Sequence, residues 1–363
     1  MVGSNAARLW WWFLRADCLE FLACPDCLGK LALRDEPQEH DAPRAETTPA
    51  QDDHLMTATL QCHACRREFP IRDGVPRLLP KSQDRSDLRE ETATRFGYEW
   101  TRFSQFDPAE ETASMATWLR PRSLSDFKDL TVLDVGCGMG RHAVIAAAAG
   151  VRRLVGIDLG QAVDAAFANT RHLEEVTIIQ ADIYHPPLAD GVFDAAFSLG
   201  VLHHLPDPKR GFATIAPKVR PGGWVHLWLY GREGNAWIVH FVNGIRRITS
   251  RMPLGLLYFL SAALTVPLFT AAKTLYRIPG LGKALPYHPY IAWLGRFGFK
   301  KIHAIVFDHA LTPVAHYLSR EEAEEVVNLE GWTISELEHS RGMSWGITVR
   351  KHAAPAQETA RHG

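Results

Sequence analysis

The chain has 363 residues, 46% of them hydrophobic, and its 40 Lys and Arg residues are balanced by 41 Asp and Glu residues to a formal net charge of −1. This length accommodates a small domain beside a complete α/β domain. A near-zero charge argues against a dedicated nucleic-acid-binding protein, whose surface is strongly basic, so no sequence-specific nucleic-acid partner is expected.

A run of aromatic and aliphatic residues occupies positions 9–14. Six residues are too few for the core of a signal peptide or for a transmembrane helix, and charged residues follow directly. The tryptophans of this run are expected either to pack between domains or to lie at an interface with lipid. Paired thiols without a secretory signal indicate a reducing compartment, so a cytoplasmic location is predicted.

Two C-x-x-C pairs follow, Cys24 with Cys27 and Cys62 with Cys65. Four thiolates at this spacing suit tetrahedral zinc, and a closed four-cysteine site is structural because it leaves no coordination position open. A redox dithiol is the alternative for either pair alone, but a thioredoxin-like site needs one pair in a βαβ context, which the sequence does not show. Serine at position 24 or 62 is expected to unfold this domain and leave the rest of the chain folded.

The segment between the two pairs, residues 34–54, is rich in Asp, Glu, Pro and Thr and is predicted to be a disordered loop. Residues 66–79, after the second pair, together with the two pairs themselves, resemble the small zinc-ribbon proteins that act as methyltransferase activators. The resemblance implies an N-terminal zinc-ribbon-like domain over residues 1–85, with a zinc ion that stabilises it.

Alternating glycines at Gly136, Gly138 and Gly140 follow a buried strand in the segment VLDVGCGMG, residues 132–140. Such a turn forms a nucleotide cradle, because a side chain would occupy the space of the ligand and because the reversal favours positive φ. A dinucleotide fingerprint starting at Gly136 would place its third glycine at position 141, which is Arg141. The spacing therefore disfavours a dinucleotide-dependent oxidoreductase.

Aspartates end the next two predicted strands. Asp158 lies about 22 residues beyond Gly136, where a carboxylate can accept both hydroxyls of a ribose, and an aspartate that caps the following helix is the alternative. Asp182 follows a third strand at 176–180, with a turn aspartate as the alternative.

The remaining elements continue the alternation of strands and helices. A fourth strand lies in 193–205, a helix near 209–219 follows, and Pro221, Gly222 and Gly223 form the turn before a fifth strand at 224–230. The C-terminal part contains a helix at 319–328 with Ser319 as its N-cap. Two alternating strands, 333–339 and 344–350, are predicted to pair antiparallel.

The glycine motif, the two aspartates and the segments LHHLPDP and RPGG together resemble the class I S-adenosylmethionine (SAM) methyltransferases, in particular the ubiquinone and menaquinone biosynthesis methyltransferases. The resemblance implies a Rossmann-like seven-stranded sheet, mostly parallel with the last strand antiparallel, and helices on both faces. The resemblance covers about residues 120–350 apart from a long insertion. The methyltransferase domain is predicted over residues 86–230 and 308–352, interrupted by a helical insertion at 231–307. Residues 353–363 are expected to be a disordered tail.

The resemblance also implies the cofactor, SAM, and the residues that hold it. Asp158 would bind the ribose, while Asp182 would accept the exocyclic amine of adenine and Ile183 would pack on its ring. The complete set of expected cofactor contacts is Asp134, Gly136, Cys137, Gly138, Gly140, Asp158, Leu159, Asp182, Ile183 and Ser198.

The insertion has an unusual composition, because residues 234–307 contain no Asp or Glu while Arg and Lys punctuate an apolar sequence. Its stretch 252–272 is uncharged and, at about 21 residues, just long enough to span a bilayer, although two prolines interrupt it. Three interpretations remain open: a helical lid over a substrate pocket, helices in peripheral contact with a membrane through 234–307, and a transmembrane segment. A lid would favour an apolar small-molecule substrate, with an anionic group suited to Arg and Lys at the rim.

The chemistry implied is methyl transfer from SAM to an oxygen, nitrogen or carbon nucleophile, which needs a general base only if the acceptor loses a proton. His203 and His204 follow the fourth strand and are the candidate catalytic residues. The alternative is that a histidine of this pair supports the structure of the loop. Candidate substrate contacts are Tyr98, Trp100, Tyr230 and His309. The first two belong to an aromatic segment, 95–106, which resembles the helix that covers the cofactor in many relatives, and core packing is their alternative.

A second functional class stays open at this point. A non-catalytic protein that keeps the SAM fold and uses its zinc ribbon to dock a partner would contain every motif described above.

Overall fold

The computed structural model of the chain describes residues 16–34, 57–81, 87–235, 239, 244–246 and 248–353. The aromatic run at 9–14, nearly all of the predicted loop 34–54 and the predicted tail beyond residue 353 lie outside these ranges.

A single sheet runs through the described part of the chain. Its strands are β1 (Leu31–Leu33), β2 (Ala58–Cys62), β3 (Glu68–Arg72), β4 (Val75–Leu78), β5 (Thr131–Val135), β6 (Arg153–Asp158), β7 (Val176–Ala181), β8 (Phe193–Leu199), β9 (Val219–Tyr230), β10 (Trp332–Ser340) and β11 (Ser344–Lys351). They lie in the order β1-β2-β3-β4-β7-β6-β5-β8-β9-β11-β10.

The half of the sheet from β7 to β10 has the predicted Rossmann-like architecture. Strands β5 to β9 pair in parallel, and β11 pairs antiparallel with both β9 and β10. The central strands β5 and β8 are buried along their whole length, as expected for strands covered by helices on both faces. The predicted fold class is confirmed.

The sheet is larger than predicted because the N-terminal domain extends it. Strand β4 pairs in parallel with β7, with Arg77 opposite Gln180 and Leu78 opposite Ala181. Strand β7 would otherwise be an edge strand with unpaired backbone groups, so the ribbon covers an edge of the α/β sheet.

The two parts of the chain share one hydrophobic core. Phe21 and Leu60 of the ribbon belong to the same buried cluster as Ile179 of β7. The rings of Phe21 and Phe193 stack with their centroids 5.9 Å apart. The ribbon is therefore packed into the α/β domain by side chains as well as by strand pairing.

Helices cover the sheet and fill the insertion. They are α1 (Asp87–Arg102), α2 (Pro108–Trp118), α3 (Arg141–Ala148), α4 (Ala162–Thr170), α5 (Pro208–Ile215), α6 (Leu254–Lys273), α7 (Leu281–Ala284), α8 (His288–Leu294), α9 (Phe299–Leu311) and α10 (Arg320–Val326). Helix α9 continues past residue 307, where the predicted insertion ends, and α6 matches the uncharged stretch closely.

Two local predictions can be compared directly with the structure. Ser319 caps α10 as expected, and its backbone N–H donates to Oε2 of Glu322 at 2.8 Å, which completes a capping box. The predicted turn before the fifth strand is instead an irregularity inside β9, which begins earlier, at Val219. Val219 pairs with Phe193 but Trp224 pairs with Ala195, so the intervening residues of β9 bulge out of the pairing. Gly222, within the bulge, has a φ of 78°.

Candidate active site and the four-cysteine cluster

The glycine turn lies at the carboxyl end of β5 and is anchored to β6. Both Gly136 and Cys137 donate their backbone N–H groups to the carbonyl oxygen of Ile157, at 2.8 and 3.0 Å. Gly136 has a φ of 81°, and a Cβ at this position would lie 2.5 Å from Cγ1 of Val201. Any side chain at residue 136 would therefore both strain the turn and clash with Val201.

Asp158 ends β6 directly beside this turn. Its Oδ2 accepts the backbone N–H of Gly138 at 3.0 Å, and its Oδ1 accepts that of Gly160 at 2.8 Å. Burial raises the pKa of this carboxyl, although the amide hydrogen bonds oppose the rise. The side chain is thus fixed in orientation by backbone donors before any ligand binds.

Asp134 lies behind the turn and is almost completely buried. Its Oδ2 has no hydrogen-bond partner among the described residues. Burial, and next the charge of Asp158, raise the pKa of Asp134 well above its ordinary value. An unpartnered acceptor beside the cradle fits a cationic ligand such as SAM, because a positive charge would offset the desolvation of this group.

Asp182 follows β7 and is already paired with a cation. Nη1 of Arg89, from α1, lies 3.0 Å from its Oδ2, and both side chains are buried. The backbone N–H of Tyr184 donates to Oδ1 at 2.9 Å. The adenine and Arg89 would therefore share the Asp182 carboxylate. Arg89 was not among the residues predicted from the sequence.

A cavity of about 260 Å³ connects the glycine turn to the helices of the insertion. Among the predicted cofactor residues, its wall contains Gly136, Cys137, Gly138, Asp158, Leu159, Asp182 and Ile183. Among the predicted catalytic and substrate residues, it contains Trp100, His204, Tyr230 and His309. Five predicted residues are not part of this wall: Asp134, Gly140, Ser198, His203 and Tyr98.

Some of these five residues have structural contacts of their own. Gly140 has a φ of 79° as the N-cap of α3. The hydroxyl of Ser198 donates to the carbonyl oxygen of Val135 at 2.9 Å and so joins β8 to the end of β5. The ring of Tyr98 packs against Phe307 of α9, with the centroids 6.2 Å apart.

The two adjacent histidines have different surroundings. Nδ1 of His204 lies 2.8 Å from the carbonyl oxygen of Val314. Because a carbonyl only accepts, this contact places the ring proton on Nδ1 and leaves a lone pair on Nε2. Burial lowers the pKa of His204 to about 4, so the ring is neutral at physiological pH.

His203 is completely buried and does not line the cavity. Its ring lies against that of Tyr230, with the centroids 3.9 Å apart, and neither ring nitrogen has a hydrogen-bond partner among the described residues. Burial, and next the charge of His204, lower its pKa well below the ordinary value. These contacts fit a packing role beneath Tyr230.

Two carboxylates in the cavity wall were missed by the sequence analysis, Glu99 and Asp308. Neither carboxylate oxygen of Glu99 has a hydrogen-bond partner among the described residues, and burial together with the charge of Asp308 raises its pKa well above the ordinary value. Asp308 accepts the hydroxyl of Tyr230 at 3.1 Å. Burial alone would raise the pKa of Asp308, but its contacts with His309 and Tyr230 and the nearby His204 lower it.

A signal for one of them was present in the sequence. Asp308 is the first acidic residue after the acid-free stretch. Glu99 had no comparable signal, because an acid in an amphipathic helix is usually exposed and only the packing of α1 against α9 buries it.

The four predicted zinc ligands come together in the ribbon. All four sulfur atoms of Cys24, Cys27, Cys62 and Cys65 lie within 4.8 Å of one another. The Cys24–Cys65 and Cys27–Cys62 sulfur distances are 3.7 and 3.5 Å. Sulfurs about 2.3 Å from a tetrahedral zinc are about 3.8 Å apart, so the cluster is compatible with structural zinc.

Comparison with known proteins supports both halves of this description. A family model described as a methyltransferase domain matches residues 133–227, and one described as Trm112p-like protein matches residues 15–74. The ubiquinone biosynthesis O-methyltransferase of Pseudomonas paraeruginosa is 32% identical over 161 residues, which cover 43% of this chain and 67% of that protein. The chain belongs to the SAM-dependent methyltransferases.

This methyltransferase is also similar to proteins with other acceptors. The tRNA U34 carboxymethyltransferase of Cellvibrio japonicus is 31% identical over 122 residues, 32% of this chain and 38% of that protein. A solved complex of the Haloferax volcanii Trm112 methyltransferase activator with a methyltransferase aligns at 13% identity and a TM-score of 0.41, covering 71% of this chain and 98% of that one.

The predicted enzyme class and cofactor are thus confirmed for this methyltransferase, and its N-terminal part is a Trm112-like zinc ribbon in the same chain. The relatives differ in their acceptors, so the acceptor has to be argued from the site itself.

Proposed function

We propose that the enzyme transfers the methyl group of SAM to an oxygen, nitrogen or carbon nucleophile of an apolar small molecule or lipid-like acceptor. The observation that carries this proposal is the aromatic wall of the cavity beyond the glycine turn. It is formed by Trp118, Trp228, Tyr230, Tyr290, Trp293 and Tyr317. Such a wall favours ligands that bury apolar surface against it.

The cofactor would occupy the end of the cavity at the glycine turn. Asp158 would bind the ribose, and Asp182 and Ile183 would contact the adenine. Asp134, behind the turn, would ionise when the cationic cofactor binds and would then offset its positive charge. SAM supplies a methyl group on a cationic sulfur, and transfer breaks this carbon–sulfur bond as the bond to the nucleophile forms. The contribution of the protein is alignment of the two reactants and exclusion of water.

For a hydroxyl or amine acceptor, Nε2 of His204 would take the proton. This atom keeps its lone pair because Nδ1 donates to Val314. Tyr230, held by Asp308, would orient the acceptor in the same part of the cavity. Trp100 and His309 also line the cavity and would contact the bound acceptor.

An anionic group on the acceptor would find a cation in the wall. Arg341 lines the cavity and lies over the ring of Trp293, 4.5 Å from its centroid. Burial lowers its pKa only to about 10, so the guanidinium stays charged at neutral pH. Lys301 is less available because it is paired with Glu111.

The acceptor class can be tested by following the methyl group. The purified enzyme is incubated with a cell extract and SAM tritiated in its methyl group, and the products are divided into solvent-extractable, RNA and protein fractions. We expect enzyme-dependent label in the solvent-extractable fraction, and much less of it when the Asp158→Asn variant is used at a limiting concentration of SAM. Label confined to RNA or protein would contradict the proposal.

A further inference from the structure

Helix α6 buries two polar residues beside Leu257 and exposes several large apolar ones, unlike a typical helix on the surface of a water-soluble protein. Ser261 and Thr265 face inward and are 2% and 0% exposed, and Oγ of Ser261 lies 2.9 Å from Nε2 of His303 on α9. Phe259 and Leu264 face outward and are 71% and 65% exposed. An amphipathic helix in water normally buries its large apolar residues and exposes its polar ones.

The exposed apolar surface continues beyond these two residues. Further large apolar side chains are exposed on α6, in the turn after it and at the start of α7: Leu256, Leu260, Val266, Leu275, Ile278 and Leu281. The helical stretch Leu254–Arg277 contains an 18-residue window with a mean hydropathy of 1.8, and it is the one helix of the described chain that is long and apolar enough to cross a membrane. A contiguous exposed apolar surface of this kind marks an interaction site.

The charges that this segment itself contributes around the surface are all positive. Residues 234–307 contain no acid, and several basic side chains of this segment are exposed: Arg251, Arg277, Lys283, Arg296 and Lys300. An apolar face with such cations matches an anionic lipid surface, in which acyl chains receive the apolar residues and headgroups pair with the cations. Contact with the same face of a second copy would bring like charges together.

Attachments to the rest of the enzyme favour contact along the membrane surface over a transmembrane position. The inner face of α6 is bound to α9 through Ser261 and His303. Helix α9 is held in turn to α2 by the pair of Lys301 with Glu111, a carboxylate that also lies 3.6 Å from Arg141. A helix held this way cannot enter the bilayer core without leaving these buried polar partners.

We propose that the outer face of α6, with the basic residues around it, docks the enzyme on a bilayer that contains anionic phospholipids. The docking itself does not depend on the nature of the acceptor. One consequence does rest on the proposed function: α9, which packs on α6, lines the cavity through Ala304, Ile305 and Asp308, so a membrane-dissolved acceptor would enter close to the cavity.

The test is flotation of the full-length protein with vesicles of phosphatidylcholine, alone or mixed with phosphatidylglycerol. We expect flotation with the mixed vesicles and its weakening by salt. Replacing both Phe259 and Leu264 with Ser should lower the vesicle partition coefficient by about tenfold or more, because two anchoring side chains are lost. Ser at two exposed apolar positions elsewhere, Leu88 and Ile334, is the matched control and should leave flotation unchanged.

Three results would overturn the docking proposal. The first is absence of flotation with both kinds of vesicle. The second is equal flotation of the wild type and the Phe259→Ser, Leu264→Ser variant. The third is a wild-type dimer that forms without vesicles and that the variant does not form. SAM binding by the variant checks its folding. The same variant should still methylate a detergent-solubilised lipid extract. If the wild type forms no solvent-extractable product, the proposed function is rejected, whereas the flotation result still stands.

Discussion

At the scale of single residues, Asp158 is the group on which the proposed recognition of SAM most depends. Two backbone amides, those of Gly138 and Gly160, hold its carboxylate beside the turn. A ligand hydroxyl that meets this carboxylate therefore meets a preoriented acceptor, which is an arrangement that lowers the entropic cost of binding.

Asp158→Asn should weaken SAM binding by about tenfold or more, because a hydrogen bond to a charged group contributes about 1.5–3 kcal/mol. Isothermal titration calorimetry measures the change directly. Asp190→Asn is the matched control, since Asp190 is exposed and pairs with Lys218 away from the cavity. Equal affinity of the Asp158 variant and the wild type for SAM would show that Asp158 does not bind the ribose.

His204→Gln should lower kcat by about 10²–10⁴-fold for a hydroxyl or amine acceptor while SAM affinity stays the same, because only the proton transfer is lost. His203→Gln should instead mainly lower the melting temperature and have only a small effect on kcat, because His203 packs under Tyr230. Steady-state kinetics and thermal unfolding separate these effects. A His204 variant with nearly wild-type kcat would exclude it as the base.

Glu99→Gln should change the pH dependence of stability. The pKa of Glu99 is raised in the folded protein, so the folded state holds a proton that the unfolded state releases above about pH 4.5. The wild type therefore loses stability from this group as the pH rises toward the folded pKa. Glutamine removes this loss. The melting temperature of the variant minus that of the wild type should therefore increase between pH 5 and pH 8. A constant difference across this range would show that Glu99 is ionised throughout.

At the scale of elements, the pairing of β4 with β7 changes the expectation for the zinc ribbon. The sequence predicted two domains that fold separately, so loss of a zinc ligand was expected to leave the methyltransferase domain intact. The structure instead gives them a common sheet and a common core. Unfolding of the ribbon would expose the edge of β7 and the side chains packed on it.

Cys24→Ser should therefore remove about one equivalent of zinc and also lower the unfolding temperature of the SAM-binding part of the chain. Zinc analysis and thermal unfolding followed through SAM binding measure the two effects. Cys18→Ala is the control, because it keeps all four thiolates of the cluster. Loss of zinc with an unchanged unfolding temperature would support separately folding domains after all.

Local sequence patterns correctly predicted those elements whose structure is determined by residues close together in the sequence. Strand β5 with its glycine turn, the Ser319 cap and the paired cysteines each depend on residues close in sequence. The position of β4 in the sheet depends on a partner about 100 residues away, at Gln180 and Ala181. Hydrophobic periodicity cannot identify such a partner, because many strands have the same alternation.

At the scale of the whole molecule, the same limit applies to the site. The end of the cavity at the glycine turn, where we propose that SAM binds, was largely predictable, because its residues follow strands whose carboxyl ends meet at one edge of the sheet. The acceptor half was not, since Glu99, Asp308 and Arg341 come from α1, α9 and the turn between β10 and β11. Only the packing of the insertion against α1 and α2 brings them together.

The insertion also unites two of the interpretations that the sequence left open. Residues of α8 and α9, among them Tyr290 and Trp293, form part of the cavity wall, as expected of a lid. Helix α6 lies on the other side of α9 with its apolar residues exposed. The proposed acceptor pocket and the proposed lipid-binding surface thus lie on opposite sides of one segment.

The most direct test of the account is a crystal structure of the enzyme with S-adenosylhomocysteine, the product of methyl transfer. We predict the ribose hydroxyls on Asp158, the adenine beside Asp182 and Ile183, and the sulfur directed toward the part of the cavity that His204 and Tyr230 line. A product bound outside the glycine turn, or with its sulfur directed away from the aromatic wall, would contradict it.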